Sequence, residues 1–520
     1  MPDANDTQRE LIDALKNPAI WPHPSTAVEE IQTHISTVLL TGEFAYKIKK
    51  PLDLGFLNFA SLADRKRYCQ EELRLNRRLA PSLYLDVVAF TGSPASPAVD
   101  GEGVAFEYAV KMRQFDQDTL LDRVLERGEL SLARMDEIAD RVARFHAEAA
   151  VAGADLPFGT SEAVYAPMAQ NFEQLAPLIT DPTQKDQLAR LEAWTRQRYE
   201  ELKPLLDARK RDGFIRECHG DMHLGNMALI DGELAIFDGI EFNDYFRWID
   251  VMSEIAFLVM DLDDRKAHAH AHHVLNRYLE RSGDYAGLRL LRFYQVYRAM
   301  VRAKVSSIRL SQGGLAEDER ARILRAYQGY ADLAEHYTTL HRPAIAVTYG
   351  VSGAGKTTVS QAIVDQLGAI RLRSDVERKR LFDLPPEADS KSGMNAGIYT
   401  PEASQQTYAR LHDLCAVLAE SGFLTIADAT FLRRGQRAPF AALAERLACP
   451  YLVLEIGADN AELRRRVVAR AAEGRDASEA DLAVLEQQLA SREPPEGEPV
   501  FTLRSGEPLP VDGLRDRLGQ

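Results

Sequence analysis

The sequence predicts a multidomain chain with two different folds: an α+β region, then an α/β domain built on a doubly wound parallel sheet. Two observations carry this. Up to about residue 338, short β-prone runs cluster before residue 112 and long helical stretches follow residue 131. From residue 344, strands of buried type alternate with helices, which is how a parallel sheet covered on both faces reads. His341-Arg342-Pro343 marks the change and gives domains at 1–338 and 342–520.

The elements of the first region follow in order. Residues 7–20 have the spacing of a short amphipathic helix, closed near Pro18. Thr33–Leu40 and Phe44–Ile48 are β-prone runs around Thr41-Gly42-Glu43, which predicts a hairpin. A helix is expected at about Leu62–Leu79, then strands at 83–90 and 104–112 with the Pro/Gly-rich Thr91–Gly103 between them. Residues 131–150 and 163–207 are expected to be helical.

Next comes His219-Gly220-Asp221-Met222-His223-Leu224-Gly225-Asn226, preceded by the strand-like Phe214-Ile215-Arg216. A second such run, Leu234-Ala235-Ile236-Phe237, ends in Asp238. A carboxylate and an amide five residues apart, with a second carboxylate at a nearby strand end, suit phosphoryl transfer. Asp221 would accept the proton of an attacking hydroxyl, and Asn226 and Asp238 would hold Mg²⁺ against the phosphates of ATP. Oxygen ligands are what a hard cation needs.

His219-Gly-Asp-x-His-x-x-Asn226 with Asp238 resembles the catalytic and metal-binding segments of aminoglycoside phosphotransferases and choline kinases, relatives of the protein kinases. The resemblance covers about residues 25–335 and implies a bilobal protein-kinase-like fold acting on a hydroxyl of a small molecule. Asp238-Gly239-Ile240-Glu241 departs from the Asp-Phe-Gly of eukaryotic protein kinases, which favours a small substrate. The resemblance also implies a phosphate-binding lysine on the second hairpin strand. Lys47 is the choice, with Lys49 and Lys50 as alternatives, and its carboxylate partner is Glu72 or, next, Glu71. Val110–Arg113 would be the hinge that meets adenine, and Asp250 the buried aspartate that braces the catalytic loop. With no Gly-rich loop present, Thr33–Thr37 would cover the phosphates.

Two further clusters precede residue 338. His268 and His272 are spaced on a helix to share a metal, although such runs are mostly solvated surface. Arg298 and Arg302 share a helix face among apolar neighbours, where pairing with buried carboxylates is the expected role and binding of an anionic substrate group the alternative.

The second domain opens on the strand Ala344–Tyr349 and Gly350-Val351-Ser352-Gly353-Ala354-Gly355-Lys356-Thr357, followed by Thr358 and a helix. G-x-x-x-x-G-K-T between strand and helix is a P-loop. Its backbone N–H groups cradle phosphates at the helix N-terminus, Lys356 reaches the β/γ-phosphates, and Thr357 ligates Mg²⁺. Further strands are expected at Ile370–Ser374, Leu424–Ala427 and Tyr451–Ile456. Asp375 and Asp428 fall at strand C-terminal ends, where ligands bind in such sheets. Arg373-Ser374-Asp375-Val-Glu-Arg378 resembles the substrate-side motif of polynucleotide 5′-kinases, gluconate kinase and zeta-type toxin kinases. That resemblance makes Asp375 the base for the acceptor hydroxyl, Arg378 its phosphate clamp and Asp428 the aspartate behind Mg²⁺. The strand before Asp375 is expected beside the P-loop strand. Arg464, Arg470 and Arg475 lie around a lid at Arg470–Leu489, where arginine would neutralise charge on the transferred phosphoryl group.

Composition narrows the reading. Residues 341–520 hold 22 basic and 25 acidic side chains against 41 and 53 in the rest, so the acidity sits in the first region and disfavours a nucleic-acid footprint there. No run approaches membrane-span length, and the polar, acidic start is not that of a signal peptide. Four widely spaced cysteines point to reduced thiols and a cytoplasmic protein. The expectation is a bifunctional kinase using ATP and Mg²⁺ on small-molecule hydroxyls. The alternatives are a P-loop ATPase that switches the first domain, or a 5′-hydroxyl nucleic-acid kinase. Neither acceptor nor the oligomeric state is legible.

Overall fold

A computed structural model describes residues 4–55, 57–311, 315–386, 388, 390, 396–473 and 481–520. It divides into two compact units: Met1–Ser131, Arg144–Glu173 and Arg196–Asp261 form one, and Leu132–Ala143, Gln174–Thr195 and Leu262–Gln520 the other.

The first unit begins with helix α1 (Ala4–Leu15) and strands β1 (Glu29–Gln32), β2 (Ser36–Leu40) and β3 (Phe44–Lys49). Helix α2 (Leu62–Asn76) and strands β4 (Tyr84–Ser93), β5 (Ser96–Val99) and β6 (Glu107–Arg113) complete an antiparallel sheet of order β1-β2-β3-β6-β4-β5. Strand periodicity explains what β3 does. Tyr46 and Ile48 point into an apolar cluster with Leu11, Leu15 and Trp21, so Lys47 and Lys49 must share the opposite face. That face meets α2, which is N-capped by Ser61 and buries Cys69, Glu72 and Asn76 at helical spacing. β1 and β5 went unread in the sequence; β5 lies inside the Pro/Gly-rich Thr91–Gly103, as a short edge strand that tolerates Pro97.

Helices α3 (Leu121–Glu126), α4 (Leu132–Glu148), α5 (Ser161–Leu175) and α6 (Pro182–Arg211) follow. The single helix expected over 163–207 is therefore two, interrupted before Pro182. Next come β7 (Ile215–Glu217), the hairpin β8 (Met227–Ile230) and β9 (Glu233–Ile236), helix α7 (Asp244–Arg247), β10 (Trp248–Asp250) and helix α8 (Val251–Asp264). β7 pairs antiparallel with β10, which fixes the segment entering the His219–Asn226 loop.

In the second unit, α9 (His268–Ser282), α10 (Leu288–Ser307) and α11 (Glu317–Thr339) precede a five-stranded parallel sheet. Its elements are β11 (Ala344–Tyr349), α12 (Lys356–Leu367), β12 (Ile370–Arg373), α13 (Ser374–Leu381), α14 (Pro401–Glu420), β13 (Leu424–Asp428), α15 (Arg434–Arg446), β14 (Tyr451–Gly457), α16 (Asn460–Glu473), α17 (Leu482–Ser491), β15 (Val500–Arg504) and α18 (Val511–Leu518). Strand order is β12-β13-β11-β14-β15. β11 and β13 are buried along their whole length, the pattern that marks central parallel strands. One expectation fails here. β11 pairs with β13 and β14, so the strand that leads to Asp375 lies one place further out, and the P-loop strand's neighbour ends in Asp428.

Cys69, Cys218 and Cys415 are buried, Cys449 is half-buried, and all four are free thiols. Among the described residues, no helix is long and apolar enough to cross a membrane.

Candidate functional site

The first site gathers side chains from distant parts of the first unit. Lys47 Nζ lies 2.8 Å from Glu72 and also bonds Asp238, 191 residues away. Lys49 sits beside it, 2.6 Å from Glu72 and paired with Glu241. Lys49, Glu72 and Glu241 are buried. Burial alone would lower the pKa of Lys47, but Asp238 and Glu72 outweigh it and hold the amine charged. Burial likewise raises the pKa of Glu72, and the two lysines reverse this and keep it ionised. Glu71 faces elsewhere, 2.5 Å from Arg74 and 3.1 Å from Arg247. Lys50 reaches the Thr33 carbonyl at the strand edge. Of the lysines and glutamates weighed, Lys47 with Glu72 is the pair brought to Asp238.

The loop after β7 is tied together by the Asn226 side chain. Asn226 Nδ2 donates to the Asp221 carbonyl at 3.0 Å and to Asp221 Oδ2 at 3.1 Å. Both amide hydrogens are thereby turned to Asp221, which leaves the Asn226 oxygen as the group to offer a cation. Asp238 has φ of 62°, its N–H donates to the Tyr84 hydroxyl at 3.1 Å, and its side chain is 46% exposed. Oxygen donors on Asn226 and a half-open carboxylate on Asp238 fit a hard cation. Gly220, at φ of 89°, has no room for a side chain: a Cβ would meet the Phe246 carbonyl oxygen at 2.6 Å. His219 is buried; burial lowers its pKa, and its Nε2 lies 2.9 Å from the Phe237 carbonyl.

The loop's brace is a residue that sequence reasoning missed. Glu254 accepts from the His219 N–H at 2.8 Å and the Gly220 N–H at 2.6 Å, and lies 2.9 Å from His146 Nε2. Burial would raise its pKa; His146, the charge of His219 and the Gly220 amide pull it down to about 2. The expected brace, Asp250, forms a buried fork with Arg209 at 2.6 and 2.7 Å. Glu254 is one helical turn beyond Asp250, so both lie near the start of α8 and only packing tells them apart. His146, Cys218 and Glu254 are the group among the described residues with metal-ligand proximity, but both Glu254 oxygens are engaged, Oε1 by the loop amides and Oε2 by His146. His268 and His272 turn to Asp263 and the Asp365 carbonyl, at 3.0 and 3.1 Å, and not to a shared point.

The second site is a backbone structure. Gly350 follows β11, and Ser352, Gly353, Ala354 and Gly355 lead into α12, which starts at Lys356, Thr357 and Thr358. Gly355, at φ of 91°, caps the helix, and a Cβ there would meet Ser505 at 2.3 Å. Lys356 Nζ donates to the Val351 carbonyl at 3.0 Å, and Gln488 of α17 accepts from the Ser352 N–H at 2.7 Å. Asp428 is buried at the end of β13 and accepts from Ser360 at 2.9 Å, one turn along α12 from Thr357. Asp375 stands in the first turn of α13. Arg378, one turn on, is buried, donates to the Ile398 carbonyl at 2.9 Å and lies over Tyr399. Arg464 pairs with Glu486 at 2.8 Å on the surface. Arg475 and the side chain of Arg470 lie outside the described residues. A cavity of about 610 Å³ flanks Thr358, Val359 and Ala362 and is lined on its other side by residues 502–504 and 506–510.

These two arrangements define a kinase-type enzyme. The sequence model of the phosphotransferase enzyme family matches residues 56–291, and that of an AAA domain matches residues 345–495. The chain thus resembles a fusion of an aminoglycoside-phosphotransferase-like domain with a C-terminal P-loop kinase-like domain. Uncharacterized protein Rv2004c of Mycobacterium tuberculosis (strain H37Rv) is 29% identical over 476 residues, 91% of this chain and 92% of its own. Uncharacterized protein Mb2027c of Mycobacterium bovis is likewise 29% identical over 476 residues, with the same coverage of 91% and 92%. Among solved structures, a choline/ethanolamine kinase family protein from Mesorhizobium loti is 13% identical with a TM-score of 0.40, covering 63% of this chain and 98% of its own. A gluconokinase from Sinorhizobium meliloti is 22% identical with a TM-score of 0.23, covering 34% of this chain and 91% of its own.

Proposed function

We propose that the chain is a bifunctional ATP-dependent phosphotransferase of the cytoplasm, with one site in residues 1–338 and another in 342–520, each acting on a hydroxyl of a small molecule. The observation that carries this reading is Lys47 joined to both Glu72 and Asp238 across the first unit. In that site Lys47 orients the α/β-phosphates and Glu72 fixes Lys47. Asp221 takes the proton of the acceptor hydroxyl as its oxygen bonds to the γ-phosphorus and the bond to the β-phosphate oxygen breaks, releasing ADP. Asn226 and Asp238 would hold Mg²⁺, which when bound supplies charge neutralisation to the phosphates.

In the second site the amides from Gly350 to Thr358 and Lys356 hold the nucleotide, whose adenosine fits the cavity at Thr358 and residues 502–510. Thr357 would ligate Mg²⁺ with Asp428 behind it. Asp375 takes the acceptor proton, Arg378 holds the acceptor, and Arg470 and Arg475 belong to the lid. The test is incubation of a metabolite extract with ATP and mass-spectrometric detection of phosphate gain. Products lost in Asp221→Asn belong to the first site and products lost in Asp375→Asn to the second. An extract that gains no phosphate with the parent protein contradicts the proposal.

A further inference from the structure

β12 is an edge strand of the parallel sheet, and its outer side meets α9, a helix that ends well before residue 342. Both elements lie in the second compact unit. Asn276 Oδ1 of α9 accepts from the Arg371 N–H at 2.7 Å, a backbone donor on the side away from β13. One turn on, Glu280 Oε1 accepts from Arg371 Nε and Nη2 at 3.1 and 2.7 Å and from Asn276 Nδ2 at 3.2 Å. Asn276, Glu280 and Arg371 are buried. Burial raises the pKa of Glu280, but Arg371 and Arg373 outweigh it and hold the carboxylate charged.

The third nitrogen of the Arg371 guanidinium reaches the P-loop. Arg371 Nη1 donates to the Thr357 carbonyl at 3.1 Å and lies 3.5 Å from Ser360 Oγ. The Ser360 hydroxyl has two acceptors in reach, that carbonyl at 3.2 Å and Asp428 Oδ2 at 2.9 Å. With Arg371 donating to the carbonyl and to the hydroxyl oxygen, the single Ser360 proton turns to Asp428. A continuous chain thus runs Glu280–Arg371–Ser360–Asp428 and holds the backbone of Thr357, the residue assigned to Mg²⁺. A guanidinium is a rigid plane, so fixing two of its nitrogens on Glu280 fixes the direction of the third. The same carboxylate also faces the acceptor side. Glu280 Oε2 lies 3.8 Å from Arg373 Nη1, and Arg373 directly precedes Ser374 and Asp375. The Glu280 carbonyl accepts from Arg380 Nη2 of α13 at 2.5 Å.

We propose that Glu280 is a positioning residue of the P-loop site: through Arg371 it sets the first turn of α12 and the Asp428 carboxylate behind Mg²⁺. The inference rests on the second site being a kinase site. It makes α9, which falls inside the phosphotransferase-family match at 56–291, a contributor to the P-loop machinery. Groups that orient a metal's ligands from behind change metal affinity by about 10–100-fold when removed. Glu280 acts through Arg371 and Ser360, so its effect belongs at the low end, about tenfold.

The test is binding of a fluorescent ADP analogue to the full chain, once with Mg²⁺ and once with the metal chelated. The part of the binding that Lys356→Ala removes belongs to the P-loop. In the parent, Mg²⁺ should tighten that part. Glu280→Gln keeps the size and withdraws the charge that anchors Arg371. The tightening by Mg²⁺ should then shrink by about tenfold while metal-free affinity stays parental. A merely structural role would lower both affinities together. Arg371→Met should match Glu280→Gln, and the double variant should lose no more than either alone, because the two residues act in series. Parental tightening in Glu280→Gln, or equal loss of metal-free and Mg²⁺-bound affinity, overturns the proposal. Should Glu280→Gln fail to fold, as read by circular dichroism, Arg371→Lys is judged by the same criterion. A parent whose P-loop binding ignores Mg²⁺ counts against the kinase reading itself, and the proposal falls with it. Parental tightening in the variants strikes this inference alone.

Discussion

The two proposed nucleotide sites are assembled in opposite ways. The first draws Lys47, Glu72, Asp221 and Asp238 from segments up to 191 residues apart, with Lys47 paired to Glu72 and Asp238 and with Asp221 held by the Asn226 amide. The second is a contiguous turn from Gly350 to Thr358 whose cradle is backbone. A site made of side chains is sensitive to the identity of each one; a site made of amides is sensitive to backbone conformation. Single substitutions should therefore separate the two cleanly.

The largest effect is expected from Asp221→Asn, which keeps size and removes basicity. Transfer at the first site should fall by about 10²–10⁴-fold, with nucleotide affinity at the P-loop unchanged. Loss of P-loop binding in that variant, measured with a fluorescent ADP analogue, would erase the contrast between the sites. Asp375→Asn should lower transfer at the second site by about the same 10²–10⁴ factor, while Lys356→Ala should damage both binding and turnover there. Transfer by Asp375→Asn at the parental rate would leave the ATPase-switch reading ahead.

A smaller effect, on stability, sharpens the side-chain half of the comparison. Glu254→Ala strands two loop amides and His146 in a buried setting and should cost about 3 kcal/mol in urea unfolding of the full chain. Lys49→Ala leaves Glu72 and Glu241 facing one another without that amine and should cost a similar ~3 kcal/mol, whereas Lys47→Ala should mainly lower productive use of ATP. Equal activity loss in Lys47→Ala and Lys49→Ala would blur the assignment of the phosphate lysine.

The smallest effect is a pH dependence. His273 carries a folded-state pKa of about 9, above the ordinary imidazole value of about 6.5. Its contribution is complete below the unfolded value and is lost as pH rises through the folded one. The stability difference between the parent and His273→Gln should therefore shrink steadily from about pH 6.5 to 9. A difference that is flat over that window contradicts the Asp136–His273–Asp365 contacts.

Much of the architecture was legible because it is written in local periodicity. Alternation along Phe44–Lys49 places the lysines on one face, and G-x-x-x-x-G-K-T after Ala344–Tyr349 defines its own strand-turn-helix. What stayed hidden depends on partners far along the chain. The neighbour of β11 is set by crossover connections, so the place of the strand before Asp375 could not be read from that strand. Val500–Arg504 is too short, and too close to the turn residues before it, to announce itself as an edge strand. The choice between Asp250 and Glu254 as the loop's brace is made by Arg209, which engages the former from another helix. Lys49 and Glu241 carried no separate signal, because burial of a charge is known only once its partner is placed.

The free thiols offer a built-in clock for local opening. Cys69 and Cys218 belong to the first unit and Cys415 to the second, and all three are buried. Burial pushes the Cys69 thiol up to about 12 and the Cys415 thiol higher still, so neither presents a reactive thiolate at neutral pH while its surroundings stay packed. Alkylation at each position then proceeds at the rate of the fluctuation that uncovers it. Cys218 directly precedes His219, so its labelling times the loosening of the His219–Asn226 loop, while Cys415 on α14 times that of the parallel-sheet domain. Peptide mapping of one alkylation time course would resolve both motions in the unaltered chain.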